Sequence, residues 1–291
     1  MDTLRDLLLS YESLAGYVGI NTLLALSVFA TLIAGQLSLA NAGFMAIGAY
    51  SAALLTLRAG LPFPVVLVAA TILPALVAVP LGLPVLRLRG VFLAIATIGF
   101  GEMVRLFFVN WDYANGAMGL DAIPQKTRLW MIWLAVAAAL FLFVRLRRSR
   151  AGLALEAIRE DETAARSMGI DTTGHKLAAL VLGAGLAGLA GAFEAHLTFT
   201  VAPNGFAFGR VVEMLVQTVV GGALVAVGPL LGAAFLTILP ELLRELGAIA
   251  GIAPGAFRPM LNGFVLLVVI LFLPSGLASL PARWRAWRGR R

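Results

Sequence analysis

Apolar runs follow one another along almost the whole chain, over residues 15–34, 37–57, 63–86, 90–109, 129–144, 177–200, 210–227, 229–246 and 259–273. A helix needs about 20 apolar residues to cross the hydrocarbon core of a bilayer. Nine such runs in 291 residues leave little chain for anything else, and no separate extramembrane domain fits between them. With 60% hydrophobic and only 13% charged residues, the chain cannot give a soluble domain of this size a polar surface. These numbers predict an all-α, polytopic membrane protein of about nine transmembrane or re-entrant helices, forming one transmembrane domain over residues 1–291. The runs 37–57 and 210–227 are rich in small residues and joined to their neighbours by almost no loop, so they read as broken or re-entrant helices.

Arginine and lysine mark the cytoplasmic connections of such a protein. The densest cluster is Arg145, Arg147, Arg148 and Arg150, continued by Arg159, Arg166 and Lys176. A second, from Arg283 to Arg291, ends the chain. Four runs separate the clusters, so both fall on one side, the inside, together with the Arg87/Arg89 turn. The opening stretch with Asp2, Asp6 and Glu12 falls outside, which requires an odd number of crossings. The net charge of +7 is therefore read as topological anchoring and contact with anionic lipid, not nucleic-acid binding. Residues 1–14 lack a basic start and a small-residue cleavage site, so no cleavable signal is expected there.

Several chemistries drop out on composition. There is no cysteine and there are only two isolated histidines, so thiol catalysis, thiolate metal sites and histidine-rich metal sites are not expected. No Gly-x4-Gly-Lys-Ser/Thr phosphate loop occurs, so ATP is not hydrolysed by that route. The chain is read as a non-enzyme without catalytic residues, metal or cofactor, driven by a partner or a gradient.

Residues 145–176 are the one extended polar segment between apolar runs. Within it Leu155, Ile158, Ala165 and Met168 recur at helical intervals, predicting a short amphipathic helix over 153–168. Glu162 and Arg166 stand in the favourable i, i+4 order, and Gly169 suits a left-handed helix end. Acidic residues nearly offset the basic ones, whereas a helix resting on anionic lipid shows a basic polar face. The alternative that the segment docks a protein therefore stands beside the lipid-surface reading.

The run Glu162-Thr163-Ala164-Ala165-Arg166-Ser167-Met168-Gly169 resembles the Glu-Ala-Ala loop of ABC-importer permeases. The wider stretch from Arg150-Ala151-Gly152 to Gly169-Ile170 resembles that of branched-chain amino-acid permeases, specifically their M-type subunit. Gly35 to Tyr50 is similar to the family's second-span signature. So are Gly90 to Thr97, Phe100 to Arg105 with Asn110-Trp111, and the late set Pro203, Phe206, Glu213, Gly221-Gly222, Gly228-Pro229 and Gly232-Ala233. Departures from the pattern are Asn41, where many members carry His or Gln, Asn115 and Ala117 in the exit turn, Val211 for Ser, and Leu224 for Gly. They fall near the presumed pathway.

The resemblance implies the ABC-importer permease fold, with Glu162, Ala164, Ala165 and Gly169 coupling to an ATPase. It also implies a second permease subunit, two cytoplasmic ATPase subunits and an extracytoplasmic solute-binding protein. The expected function is passage of branched-chain or related amino acids into the cytoplasm, from a bacterial-type inner membrane with the N-terminus outside and the C-terminus cytoplasmic. An ion-coupled secondary transporter of small organic solutes is the alternative.

Polar groups inside apolar runs need a partner or a water-filled path, because an ionised side chain at a helix centre costs about 2.5–3.5 kcal/mol. Glu102 and Arg105 can pair along one helix face, or line the path. Glu213 and Gln217, four apart after the Pro203-Asn204-Gly205 break, either line the path or bond between helices. Gln36 and Asn41, at the other glycine-rich break, carry the same two readings. Glu194 and His196 are placed at the membrane interface or against an outside partner. Ala184, Gly188 and Ala192, and Gly228 with Gly232, form ladders for close helix packing.

Overall fold

The computed structural model describes residues 2–223 and 225–249, with residue 277 alone beyond them, and side chains within residues 12–241. Eight of the nine apolar runs are helical; the ninth, 259–273, lies outside the described residues. The helices are α1 (Asp2–Leu32), α2 (Asn41–Leu57), α3 (Phe63–Val85), α4 (Val91–Val109), α5 (Leu129–Arg147), α6 (Arg150–Glu160), α7 (Glu162–Ser167), α8 (Thr172–Thr198), α9 (Phe208–Gly221) and α10 (Gly228–Ile249). Five stretches, Glu12–Leu32, Phe63–Val85, Val91–Val109, Leu129–Arg147 and Thr172–Thr198, are long and apolar enough to cross a membrane among the described residues. The two runs read as broken are indeed the irregular ones. Residues 36–40 are non-helical before α2 begins at Asn41, and α9, at 14 residues, covers only about 21 Å.

Small residues set the packing. α8 lies at the centre, against α1, α2 and α3. A Cβ on Gly48 of α2 would collide with the backbone of Gly188 on α8, and one on Gly188 would strike the Ala70 carbonyl and Pro74 ring of α3. Three helices thus meet at main-chain distance where lipid offers no hydrophobic drive, and dispersion between backbones substitutes for it. The Gly228–Gly232 ladder does the same for the α9–α10 hairpin, since Gly232 faces the Gln217 carbonyl and Gly221. The hairpin is tied to α1 by Thr218 Oγ1 donating to the Ala25 carbonyl at 3.0 Å and Asn21 Nδ2 donating to Thr237 Oγ1 at 2.9 Å.

Helix ends alternate between two faces of the bundle. At the arginine-rich end, Gly35 abuts Arg159, and Arg89 and Lys176 both reach Glu162. At the opposite end Arg58 donates to the Tyr113 carbonyl at 2.6 Å and stacks on its ring. There Leu120 and Val201 exchange two 2.8 Å main-chain bonds, latching the α4–α5 loop to the α8–α9 link.

Two expectations are corrected. The single helix over 153–168 is two, because Asp161 leaves helical geometry (φ −152°, ψ 106°) and caps α7 with its carboxylate, which accepts from the Thr163 and Ala164 amides at 2.8 and 3.0 Å. His196 does not face outward. It is fully buried, with Nδ1 2.9 Å from the Ala192 carbonyl and Nε2 2.9 Å from Thr56 Oγ1. A carbonyl only accepts, so Nδ1 carries the proton and Nε2 accepts from the threonine, clamping α8 to α2.

Candidate functional site: the α6–α7 loop and the buried polar residues

The loop at the arginine-rich end is built by local chemistry. Ser149 caps α6, its hydroxyl accepting from the Gly152 amide at 3.3 Å, and α6 turns Leu155 and Ile158 into the bundle. The break at Asp161 resets the helical phase, so only Ala165 of α7 is buried. Met168, which the uninterrupted periodicity places on the apolar face, is instead 83% exposed just beyond the end of α7. A Schellman closure ends that helix: Gly169, at φ +81°, donates to the Arg166 carbonyl and Ile170 donates to that of Ala165 at 3.1 Å. The exposed residues from Thr163 to Gly169 are Thr163, Ala164, Arg166, Ser167, Met168 and Gly169, mostly small residues around one flexible apolar side chain and one arginine.

Glu162 points the other way. Its carboxylate is 2.8 Å from Lys176 Nζ, 3.3 Å from Arg166 and 3.8 Å from Arg89. Burial by itself raises its pKa. The Lys176 hydrogen bond and the charges of Lys176, Arg89 and Arg166 outweigh that and hold the carboxyl below its ordinary value. Of the four residues matched to the coupling motif, Glu162 and Ala165 anchor the loop, while Ala164 and Gly169 face outward.

The intramembrane polar residues separate into two kinds. Glu102 and Arg105 pair at 2.7 Å on α4. Glu213 is exposed and pairs with Arg210 at 3.1 Å, and Arg210 also holds Glu194 at 2.6 Å. Sequence reasoning missed Arg210, although an arginine three residues before Glu213 in an apolar run was a signal for it. Gln36, Asn41 and Gln217 are almost fully buried, at 2%, 2% and 1% exposure. Asn41 Nδ2 donates to Ser27 Oγ at 2.8 Å. Its Oδ1, both amide atoms of Gln36 and Oε1 of Gln217 have no hydrogen-bond partner among the described residues, nor do Ser38 Oγ and the Tyr50 hydroxyl. Tyr50, a second residue that sequence reasoning missed, is stacked on Phe108 at 3.9 Å. Each such atom costs about 1–3 kcal/mol if left dry, so this set calls for water or a ligand. Gln36 and Asn41 share the break before α2, which is pinned to α4 by the Leu39 amide donating to Thr97 Oγ1 at 2.9 Å. Among the described residues, no hydrogen bond or ion pair joins Glu102–Arg105 to Glu213 or Gln217.

Over residues 10–274 the chain matches the family model described as branched-chain amino acid transport system / permease component. The chain belongs to this permease family. It is 34% identical to the high-affinity branched-chain amino acid transport system permease protein LivM of Salmonella typhimurium and 33% identical to LivM of Escherichia coli, over 295 aligned residues in each case. Each alignment covers 89% of this chain and 66% of the relative, so the chain spans just under two thirds of the length of these curated permeases. Its fold is similar to that of the PsaBC structure from Streptococcus pneumoniae in complex with Fab, with a TM-score of 0.50, 16% identity, and coverage of 91% of this chain and 92% of that one. That likeness concerns the fold alone.

Proposed function

We propose that this chain is the membrane permease subunit of an ATP-driven importer for branched-chain or related amino acids. It pairs with a second permease subunit, two cytoplasmic ATPases and an extracytoplasmic solute-binding protein. The observation that carries the reading is the α6–α7 loop in a member of this permease family: Glu162 and Ala165 brace it from behind, while Ala164, Met168 and Gly169 are presented outward. A brace behind and a small-residue face in front suit a lever that a motor protein grips. The arginine-rich end is the cytoplasmic one, on the positive-inside rule. The N-terminus then lies outside and the C-terminus inside.

In this reading ATP-driven closure of the ATPases pushes the loop, and the closely packed α2, α3 and α8 rock as a body between inward-facing and outward-facing states. Gln36, Asn41 and Gln217 line the path, their unpartnered polar atoms exchanging water for solute. Glu102 and Glu213 are each paired with an arginine on their own helix. That supports structural charge balance over the ion-binding role a secondary transporter would give them.

The test is co-purification and uptake. Gly169→Asp together with Ala164→Arg is expected to abolish ATPase association and ATP-dependent uptake while the chain still inserts. Uptake by the purified chain alone, driven by an ion gradient without ATP, would refute the reading.

A further inference from the structure

The α3–α4 turn, α7 and the start of α8 enclose a cavity of about 530 Å³ at the arginine-rich end, lined by Leu83, Arg87, Arg89, Glu162, Arg166 and Lys176 among others. Its charge does not balance. Lys176, Arg166 and Arg89 share the single carboxylate of Glu162, and Arg87 pairs with no carboxylate among the described residues. Three positive charges are left over. Like charges gathered at the mouth of one concave site repel unless an anion joins them, and the planar guanidinium forks of the three exposed arginines match the oxygens of a phosphate.

A second, independent feature says where the phosphate comes from. On α3 the side chains of Val65, Val68, Ile72, Leu76, Val79 and Leu83 are all exposed and recur every three or four residues, forming one continuous apolar stripe. The stripe runs the length of the helix and ends at Leu83, inside the lining of the cavity. A soluble anion has no use for such a track, whereas an acyl chain lies along it while its headgroup sits among the cations.

We infer that this cavity is a binding site for the phosphate headgroup of an anionic phospholipid, with its acyl chain against the α3 stripe. The lipid phosphate completes the charge balance that Glu162 leaves unfinished. It bridges the α3–α4 turn to Arg166 of α7, so that anionic lipid stiffens the loop from the membrane side. The site stands apart from the identity of the transported solute and from the path residues. The binding part of the inference survives if the importer reading fails.

The experiment uses the full chain in phosphatidylcholine nanodiscs with and without phosphatidylglycerol, reading the thermal midpoint and the phosphatidylglycerol retained in native mass spectrometry. The wild type is expected to retain phosphatidylglycerol over phosphatidylcholine and to unfold at higher temperature with it. Arg87→Gln with Arg89→Gln should weaken retention by about tenfold or more, as removal of two surface cations facing an anionic headgroup implies. Arg87→Lys with Arg89→Lys, which keeps the charges that set topology, should recover most of it. Arg145→Gln with Arg147→Gln removes two exposed arginines from the same end, outside the cavity, and should change retention by less than about twofold. If the glutamine pair does not insert, Arg166→Gln alone reads the same site from α7.

Equal loss in the Arg145/Arg147 variant overturns the inference in favour of diffuse surface charge. No preference for phosphatidylglycerol in the wild type overturns it outright. Full displacement of the lipid by inorganic phosphate overturns the lipid assignment and leaves a soluble-anion site. Protection of the cavity arginines only when the ATPase subunits are bound overturns it in favour of an acidic protein partner.

Discussion

Lys176 at the start of α8 and Glu162 at the start of α7 meet at 2.8 Å, with 12% and 20% of their side chains exposed. The bond ties the α6–α7 loop to the helix at the centre of the bundle, so a force on the loop reaches α8 without passing through α7's few buried contacts. Ala165 is the one buried side chain on α7 itself, too little apolar area to hold the helix in place.

Glu162→Gln is therefore expected to loosen the loop while leaving the bundle intact. Loss of one partner of this mostly buried pair should cost about 1–3 kcal/mol, between the values for exposed and fully buried pairs. The measurement is amide exchange over residues 161–170, which should speed up relative to α8, together with a lower thermal midpoint.

The same carboxyl sets a pH dependence. Its pKa is lowered in the folded protein, so its contribution is fully present above the ordinary carboxylate value and is lost as pH falls through the lowered one. The difference in thermal midpoint between the wild type and Glu162→Gln should be flat from about pH 8 to about pH 5 and shrink below that. A difference that grows on acidification contradicts the assigned ion pairs.

For His196→Ala, loss of the Thr56 bond and of a fully buried ring packed against Phe63 should cost about 2–4 kcal/mol. Thermal unfolding in detergent measures it. His196→Gln, able to keep one hydrogen bond, should recover part of the loss.

Two glycines of similar sequence context should behave oppositely. Gly48→Ala puts a methyl into the Gly188 backbone and should destabilise by about 1–3 kcal/mol or more. Gly99→Ala on α4 meets nothing within 4 Å and should be neutral or stabilising by up to about 1 kcal/mol. Folded yield and thermal midpoint of the two variants decide it.

Arg210→Met strands two acidic side chains, Glu194 and Glu213, and should lower stability by about 2–4 kcal/mol. Adding Glu194→Gln should restore a substantial part of it, and a double-mutant cycle gives the coupling directly.

The apolar runs by themselves determined that the chain is helical and membrane-embedded, because a 3.6-residue helix is the one open-ended way to satisfy backbone groups in hydrocarbon. They also marked the two irregular segments, since glycine and tight connections are local properties. The pairings Glu102–Arg105 and Glu162–Arg166 were legible for the same reason, as partners one turn apart share a helix face. Tertiary structure alone decided what lies across helices. Arg210 and Glu194, His196 and Thr56, and Lys176 with Glu162 are joined by packing that no spacing rule encodes. Periodicity even misled at Met168, because one capping aspartate ended a helix and began another, and the swing of Asp161 from helical to extended backbone turned the next side chains to a new face. Local chemistry is written in the order of residues. Which surfaces meet depends on how closely glycine and alanine let the helices approach, and that is settled only when they pack.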